Sequence, residues 1–127
     1  MQIENKRIGK NYPVYIIAEA GVNHNNDLSL AFKMVDIAKE SGADAIKFQT
    51  FKANNIQLQN SVKPRYQNNI QKNYYDLIKS LETSFKDQKK IFNYCNKKKI
   101  TFLSTPYDLE SLYFLKKLGA VSYTHLR

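Results

Sequence analysis

Among 127 residues there is one cysteine, Cys95, with only four glycines and only two histidines, His24 and His125. One thiol cannot close an internal disulfide or anchor a metal site alone, which fits a reducing compartment; its place in an apolar helical pattern reads as buried filler rather than nucleophile. The four glycines are never closely spaced, so there is no glycine-rich phosphate loop. Two distant histidines make no convincing cluster with carboxylates, and no metal ligand is assigned. No window approaches the roughly 18 consecutive apolar residues of a membrane helix. The start, Met1 to Arg7, is polar and mixed in charge, without the positive-then-apolar build of a secretory signal. A cytoplasmic protein with no membrane partner is expected.

Lysine, by contrast, is abundant. The formal net charge is +9, and of the 20 basic residues all but Arg7, Arg65 and Arg127 are lysine. Base readout and phosphate clamping favour the planar fork of arginine, and these lysines are spread along helical patterns, so most read as solvated faces. Lys97, Lys98 and Lys99 stand at the end of one such pattern, where cations complement the carbonyl end of the helix. Nine tyrosines and seven phenylalanines are compatible with stacking on bases. They recur at helix and strand spacing, which favours core and leaves a basic nucleic-acid-binding module as the alternative of another class. No nucleic-acid partner is expected. The hydrophobic content of 43% suffices for a globular domain.

Residues 14–18 form a short apolar run after Pro13, long enough for a buried strand and too short for a helix. Asp27 is a good N-cap for a helix whose apolar face is Leu28, Ala31, Met34, Val35 and Ala38, stopped at Gly42. Residues 43–49 read as a second strand. Residues 52–73, rich in Asn, Gln and Lys with Pro64 inside, suggest either a functional excursion over an active site or a mobile stretch. A helix is predicted over residues 74–81. Ser84 with Asp87 resembles a capping box opening another through Ile91, Phe92 and Cys95. Residues 100–105 are a third strand, and Asp108 caps a helix carrying Leu109, Leu112, Leu115 and Leu118 before Gly119. Alternating strands and helices, with strands apolar nearly throughout, predict parallel strands covered by helices: the α/β class.

In parallel α/β folds active sites gather at the carboxyl ends of the strands. Those ends read Ala18 to Asn25, Lys47 to Phe51, and Ser104 to Asp108. Strand parity puts Ala45, Lys47 and Gln49 on one face and Ile46 and Phe48 on the other, against the helices. By the same rule Tyr15, Ile17 and Glu19 align, as do Thr101, Leu103 and Thr105. Glu19, Lys47, Gln49 and Thr105 are the candidate site residues. Lys47 offers a fixed positive charge for a phosphate or carboxylate, or merely packs its stem on the strand with its head in water. Glu19 either takes a sugar hydroxyl or a proton, or pairs with Lys47. Gln49 and Thr105 either donate to substrate oxygens or cap the strand ends. In the first loop, beside Asn23, His24 either contacts substrate or caps the following helix.

Three stretches at these strand ends, IIAEAGVNHNNDLSLA from Ile16, AKESGADAIKFQTFKA from Ala38 and FLSTPYDLESLYFLKKLG from Phe102, resemble the sialic acid synthase family. That family includes the N-acetylneuraminate and legionaminic acid synthases. The resemblance runs from about Val14 to Gly119 and implies the N-terminal part of a (β/α)8 barrel, incomplete, followed in the family by a small antifreeze-like domain that completes the site in a partner subunit. It implies condensation of phosphoenolpyruvate with an open-chain N-acetylated mannosamine-type sugar, phosphate leaving by C–O cleavage, in a homodimer. A divalent metal, Mn or Mg, polarises the aldehyde in the family, on ligands from later strands. Carried over by motif position, Glu19 contacts the sugar, Lys47 and Thr105 the phosphoenolpyruvate, and Gln49 the reacting region. Asn23 and His24 join the substrate-binding set. The nearest alternative is another barrel synthase or aldolase acting on phosphorylated sugars.

Two departures stand out. Asn26 replaces a common glycine, and the pattern is lost after Tyr123, where Thr124 replaces a lysine that binds phosphoenolpyruvate in the family. The expectation is therefore a partial barrel domain over residues 1–127, with three βα units, the start of a fourth strand, and a tail, 121–127, that is foreign or misread. An unclosed barrel leaves a strand edge unpaired and apolar faces uncovered, so the chain alone is expected to be poorly stable and inactive.

Overall fold

The computed structural model describes residues 1–56 and 74–120. A small antiparallel hairpin, β1 (Gln2–Ile3) and β2 (Lys6–Arg7), comes first. There follow β3 (Ile17–Gly21), α1 (Leu28–Glu40), β4 (Ala45–Thr50), a short α2 (Ala53–Ile56), α3 (Tyr74–Leu81), α4 (Phe85–Lys98), β5 (Thr101–Pro106) and α5 (Leu109–Leu118). The last three strands form one parallel sheet in the order β3-β4-β5.

One face of this sheet is apolar and lies under the helices. Ala20, Ile46, Phe48 and Phe102 pack with Ala31, Val35 and Ala38 of α1, Ile91 and Cys95 of α4, and Leu115 of α5. Phe48 stacks on Phe102, and Phe92 of α4 meets Phe102 edge-on, so aromatic surface fills the middle of the layer. Fully burying a side chain of this size contributes roughly 1.5–3 kcal/mol. Phe32 stacks on Tyr94, whose hydroxyl donates to Asp36, and this joins α1 to α4.

Local chemistry sets the helix ends as expected. Asp27 accepts from the Ser29 and Leu30 amides at 2.8 and 3.1 Å. Ser84 accepts from the Asp87 amide and donates to its carboxylate. Asp108 accepts from the Ser111 amide at 2.9 Å. Gly42 and Gly119 follow α1 and α5 with φ near +80°, which glycine adopts without strain. At the end of α4 the left-handed position is taken by Lys99.

The first strand begins later than its composition suggests: pairing runs over Ile17–Gly21, not 14–18. Val14 and Ile16 are exposed, and the chain turns onto the sheet only where Asp44 receives it. The Ile16 amide donates to the Asp44 carboxylate at 2.7 Å while the Ile16 carbonyl accepts from the Asp44 amide. Asp44 also pairs with Lys6, and the Thr101 hydroxyl donates to Glu4, so the hairpin is fastened across the amino ends of β4 and β5. The hairpin and α2 carry no periodic signal and went unpredicted. Residues 57–73 of the long connection, the fourth-strand start and the tail at 121–127 lie outside the described residues.

Cys95 is fully buried, and burial pushes its thiol up to about 12. A water-soluble disulfide reagent at pH 8 should therefore label the folded chain only as fast as it opens, and promptly in denaturant. Immediate stoichiometric labelling of the native protein would show that the α1–α4 core is not closed as described.

Candidate functional site

The face of the sheet turned away from the helices is where the polar residues gather. Register pairs Glu19 with Lys47 and Lys47 with Leu103, and pairs Gln49 with Thr105 one step nearer the carboxyl ends. Ile46 and Phe48 belong to the helix-side core, so strict alternation puts Lys47 and Gln49 on the opposite face. The Lys47 ammonium reaches the Glu19 carboxylate at 2.8 Å, with the lysine side chain 21% and the glutamate side chain 52% exposed. Half-open ion pairs of this kind contribute only about 0–1 kcal/mol to stability. The pair orients the ammonium rather than holding the fold, and the charge stays within reach of an anion. Both readings of Glu19, as partner of Lys47 and as a group facing the open side, are compatible with this arrangement.

A bulge between Glu19 and Gly21 lets the backbone of β3 close in on the same spot. Gly21 has φ +55°, and a Cβ there would lie 3.6 Å from Gln49 Nε2 and 3.8 Å from Glu19 Oε1. A side chain at this position would strain the backbone and occupy the space between the two candidate groups. Sequence reasoning passed over Gly21; its signal was a glycine in an otherwise apolar strand end. Tyr107, also missed, stands at the exit of β5, where burial and then the Glu19 charge hold its hydroxyl above the ordinary tyrosine value. Its ring meets Phe51 edge-on.

The structure thus brings together Glu19, Lys47 and Gln49, with Thr105 beside Gln49 in register and only 3% exposed. Asn23 is exposed at the exit of β3, its amide donating to the Ala20 carbonyl. His24 is not at this rim. It is 1% exposed, edge-on to Phe48 of the helix-side layer, and neither ring nitrogen has a hydrogen-bond partner among the described residues. Capping of α1 falls to Asp27, so His24 does not act there either. Among the described residues no three His, Cys, Asp or Glu side chains converge in a way that would hold a metal ion, and no helix is long and apolar enough to cross a membrane. Among the described residues Glu19 is the one carboxylate facing this rim, so they do not by themselves fit a divalent cation.

Comparison with known proteins bears on the family and the fold. The NeuB family model matches residues 34–124. The chain is 46% identical over 114 residues to the N,N'-diacetyllegionaminic acid synthase of Legionella pneumophila, covering 87% of this chain and 32% of that protein. It is 47% identical over 107 residues to the N,N'-diacetyllegionaminic acid synthase of Campylobacter jejuni, covering 82% and 32%. Among solved structures, an N-acetylneuraminic acid synthetase from Leptospira borgpetersenii, in complex with citrate, superposes with a TM-score of 0.76 at 36% identity, over 94% of this chain and 38% of that one. The chain therefore spans about a third of the length of the curated relatives it matches. Its fold is α/β, the amino-terminal part of a (β/α)8 barrel, as the alternation and the motifs led one to expect.

Burial pushes the His24 imidazole below its ordinary value of 6.5, against a smaller opposite pull from Asp27. The folded state then binds this proton more weakly than the unfolded state, so its contribution to stability is intact above pH 6.5 and is lost as pH falls through 6.5 toward the lowered value. The lowered carboxylates, Asp36 and Asp44 among them, lose theirs only in a more acid window, below their ordinary value of 3.8. Denaturation midpoints should fall as pH drops below 6.5 in the unaltered chain, before the carboxylates titrate, and stay nearly flat there in His24→Leu. That variant breaks no hydrogen bond and is expected to cost less than about 1 kcal/mol at pH 8 or to stabilise. Equal slopes in the two proteins would refute the burial of an unpartnered imidazole.

Proposed function

The chain belongs to the NeuB family, and from that premise we propose that its rim is the phosphoenolpyruvate side of a sugar-acid synthase active site. The reaction joins C3 of phosphoenolpyruvate to the aldehyde carbon of an open-chain N-acetylated mannosamine-type sugar; water adds at C2 and phosphate departs by C–O cleavage, leaving a nonulosonic acid. The observation that carries this reading is the Lys47 ammonium, held at 2.8 Å by Glu19 on the face away from the helices. An ammonium fixed before substrate arrives favours a phosphate or carboxylate, and its worth rises as surrounding chain excludes water.

Each rim residue has a part in this proposal. Lys47 and Thr105 bind phosphoenolpyruvate, Gln49 faces the reacting region, and Glu19 exchanges its hold on Lys47 for a sugar hydroxyl when the anion takes the ammonium. Asn23 belongs to the sugar side at the exit of β3, where burial of His24 holds the loop rather than touching substrate. The reaction would take place in the cytoplasm, in a homodimer. A divalent metal, Mn or Mg, would supply polarisation of the aldehyde when bound, on ligands outside the described residues.

Lys47→Met in the complete protein carrying this chain should weaken phosphoenolpyruvate binding by about 10- to 100-fold, the worth of a charge-assisted hydrogen bond, while the melting temperature barely moves. Isothermal titration with phosphoenolpyruvate measures it. Unchanged affinity in a folded Lys47→Met protein would end the assignment. Glu19→Gln should raise the KM for the sugar more than that for phosphoenolpyruvate; steady-state kinetics with each substrate varied in turn would show the reverse if Glu19 served only to hold Lys47.

A further inference from the structure

Beyond Lys47, the exit of β4 is held from outside the strand at nearly every step. The Gln49 carbonyl accepts from Gln88 Nε2 of α4 at 2.9 Å. The Thr50 hydroxyl lies 2.6 Å from the buried Ser104 hydroxyl of β5, and the Thr50 carbonyl accepts from the Tyr107 amide. The Lys52 amide donates to Asp108 Oδ2 at 2.8 Å, and the Ala53 amide donates to Glu82 Oε2, also at 2.8 Å. The exit of β3 is different: among the described residues its backbone bonds, Asn23 to Ala20, Asn25 to Val22 and Asp27 to His24, are all local turns.

Two carboxylates do more than their local roles require. Capping α5 needs only one acceptor for the Ser111 amide, yet Asp108 also holds the Lys52 amide and the Asn55 side chain. Glu82, in the connection between α3 and α4, is 11% exposed and accepts from the Ala53 amide and from the Lys79 and Lys52 ammonium groups. Burial works against the charge on Glu82, but the Ala53 amide and Lys79 outweigh it and hold the carboxyl below its ordinary range. Lys52 is further fixed over the Phe85 ring at 4.1 Å.

We infer that Asp108 and Glu82 are positioning residues for the rim: by gripping the Lys52 amide, Asp108 locks the exit of β4 to the exit of β5, and by gripping the Ala53 amide, Glu82 ties it to the α3–α4 connection, so that Gln49 and Thr105 keep their cross-strand spacing. This rests on reading the rim as the phosphoenolpyruvate site. A rim that is rigid on the β4 and β5 side presents its ammonium, amide and hydroxyl already spaced for an anion, and no binding energy is spent arranging them.

Asp108→Ser separates the two tasks of that residue, because serine is a good N-cap for Ser111 but too short to reach the Lys52 amide. Glu82→Met keeps the length and removes both the acceptor for the Ala53 amide and the charge that gathers Lys52 and Lys79. In the complete protein, amide exchange at Lys52 in Asp108→Ser, and at Ala53 in Glu82→Met, should speed up about tenfold or more, with Ser111 and Leu112 as protected as before. Both variants should lose about tenfold in kcat/KM for phosphoenolpyruvate with the KM for the sugar unchanged, the mark of displaced rather than missing groups. Unaltered exchange at Lys52 and Ala53, or kinetic losses shared equally by both substrates, would overturn the inference. Absence of phosphoenolpyruvate turnover in the unaltered protein would sink the reading of the site instead, while the exchange rates still decide the clamp.

Discussion

The parallel register that sets Glu19 beside Lys47, and Lys47 beside Leu103, is the constraint on which everything else rests. Side chains on a strand alternate strictly, so a slip of one residue in β4 would send Lys47 into the helix layer and push Phe48 out of it. The layer forbids that exchange. Phe48 and Ile46 are fully buried among aromatic and aliphatic side chains, and a lysine in their place would lose its hydration with no carboxylate to meet it. The charge at the rim is therefore positioned by the apolar core behind it. Asp44 and the amino-terminal hairpin fasten the opposite end of the same strands, so the register is secured at both ends.

From this register follows an uneven rim. On the β4 and β5 side, polar contacts from α4, from the α3–α4 connection and from the start of α5 converge on the strand exits. On the β3 side the chain relies on a bulge, a glycine with positive φ and two further left-handed residues, Asn25 and Asn26. Among the described residues, the half that offers Lys47 is thus tied by long-range contacts, and the half that offers Glu19 by local turns. This division suits the proposed reaction, in which a small, highly charged anion is held in one place and a longer, neutral, hydroxyl-rich partner is admitted beside it.

Much of this was legible in the residues. Alternation in Ala45 to Gln49 was enough to separate Lys47 from Phe48, and Asp27, Ser84 and Asp108 announced their helices by cap chemistry that acts over a few residues. Local rules fail where tertiary contacts decide. The first strand starts at Ile17 because Asp44, distant in sequence, receives the Ile16 amide; the apolar look of Val14 carries no trace of that. His24 sits among asparagines in a loop and reads as a substrate contact or a helix cap, but the chain folds it against Phe48. Glu82 looks like one more charge on a solvated helix end, and its grip on Ala53 appears only once the two segments are adjacent. The motif resemblance reached the family correctly, since motifs record which residues stand together without stating the contacts that hold them.

The most direct measurement is a crystal structure of the complete barrel protein carrying this chain, soaked with phosphoenolpyruvate. The account predicts a phosphate or carboxylate oxygen of the ligand within hydrogen-bond distance of Lys47 Nζ, with Gln49 and Thr105 alongside and Glu19 drawn away from the ammonium. Ligand bound elsewhere, with Lys47 and Glu19 still paired as they are without it, would contradict the account.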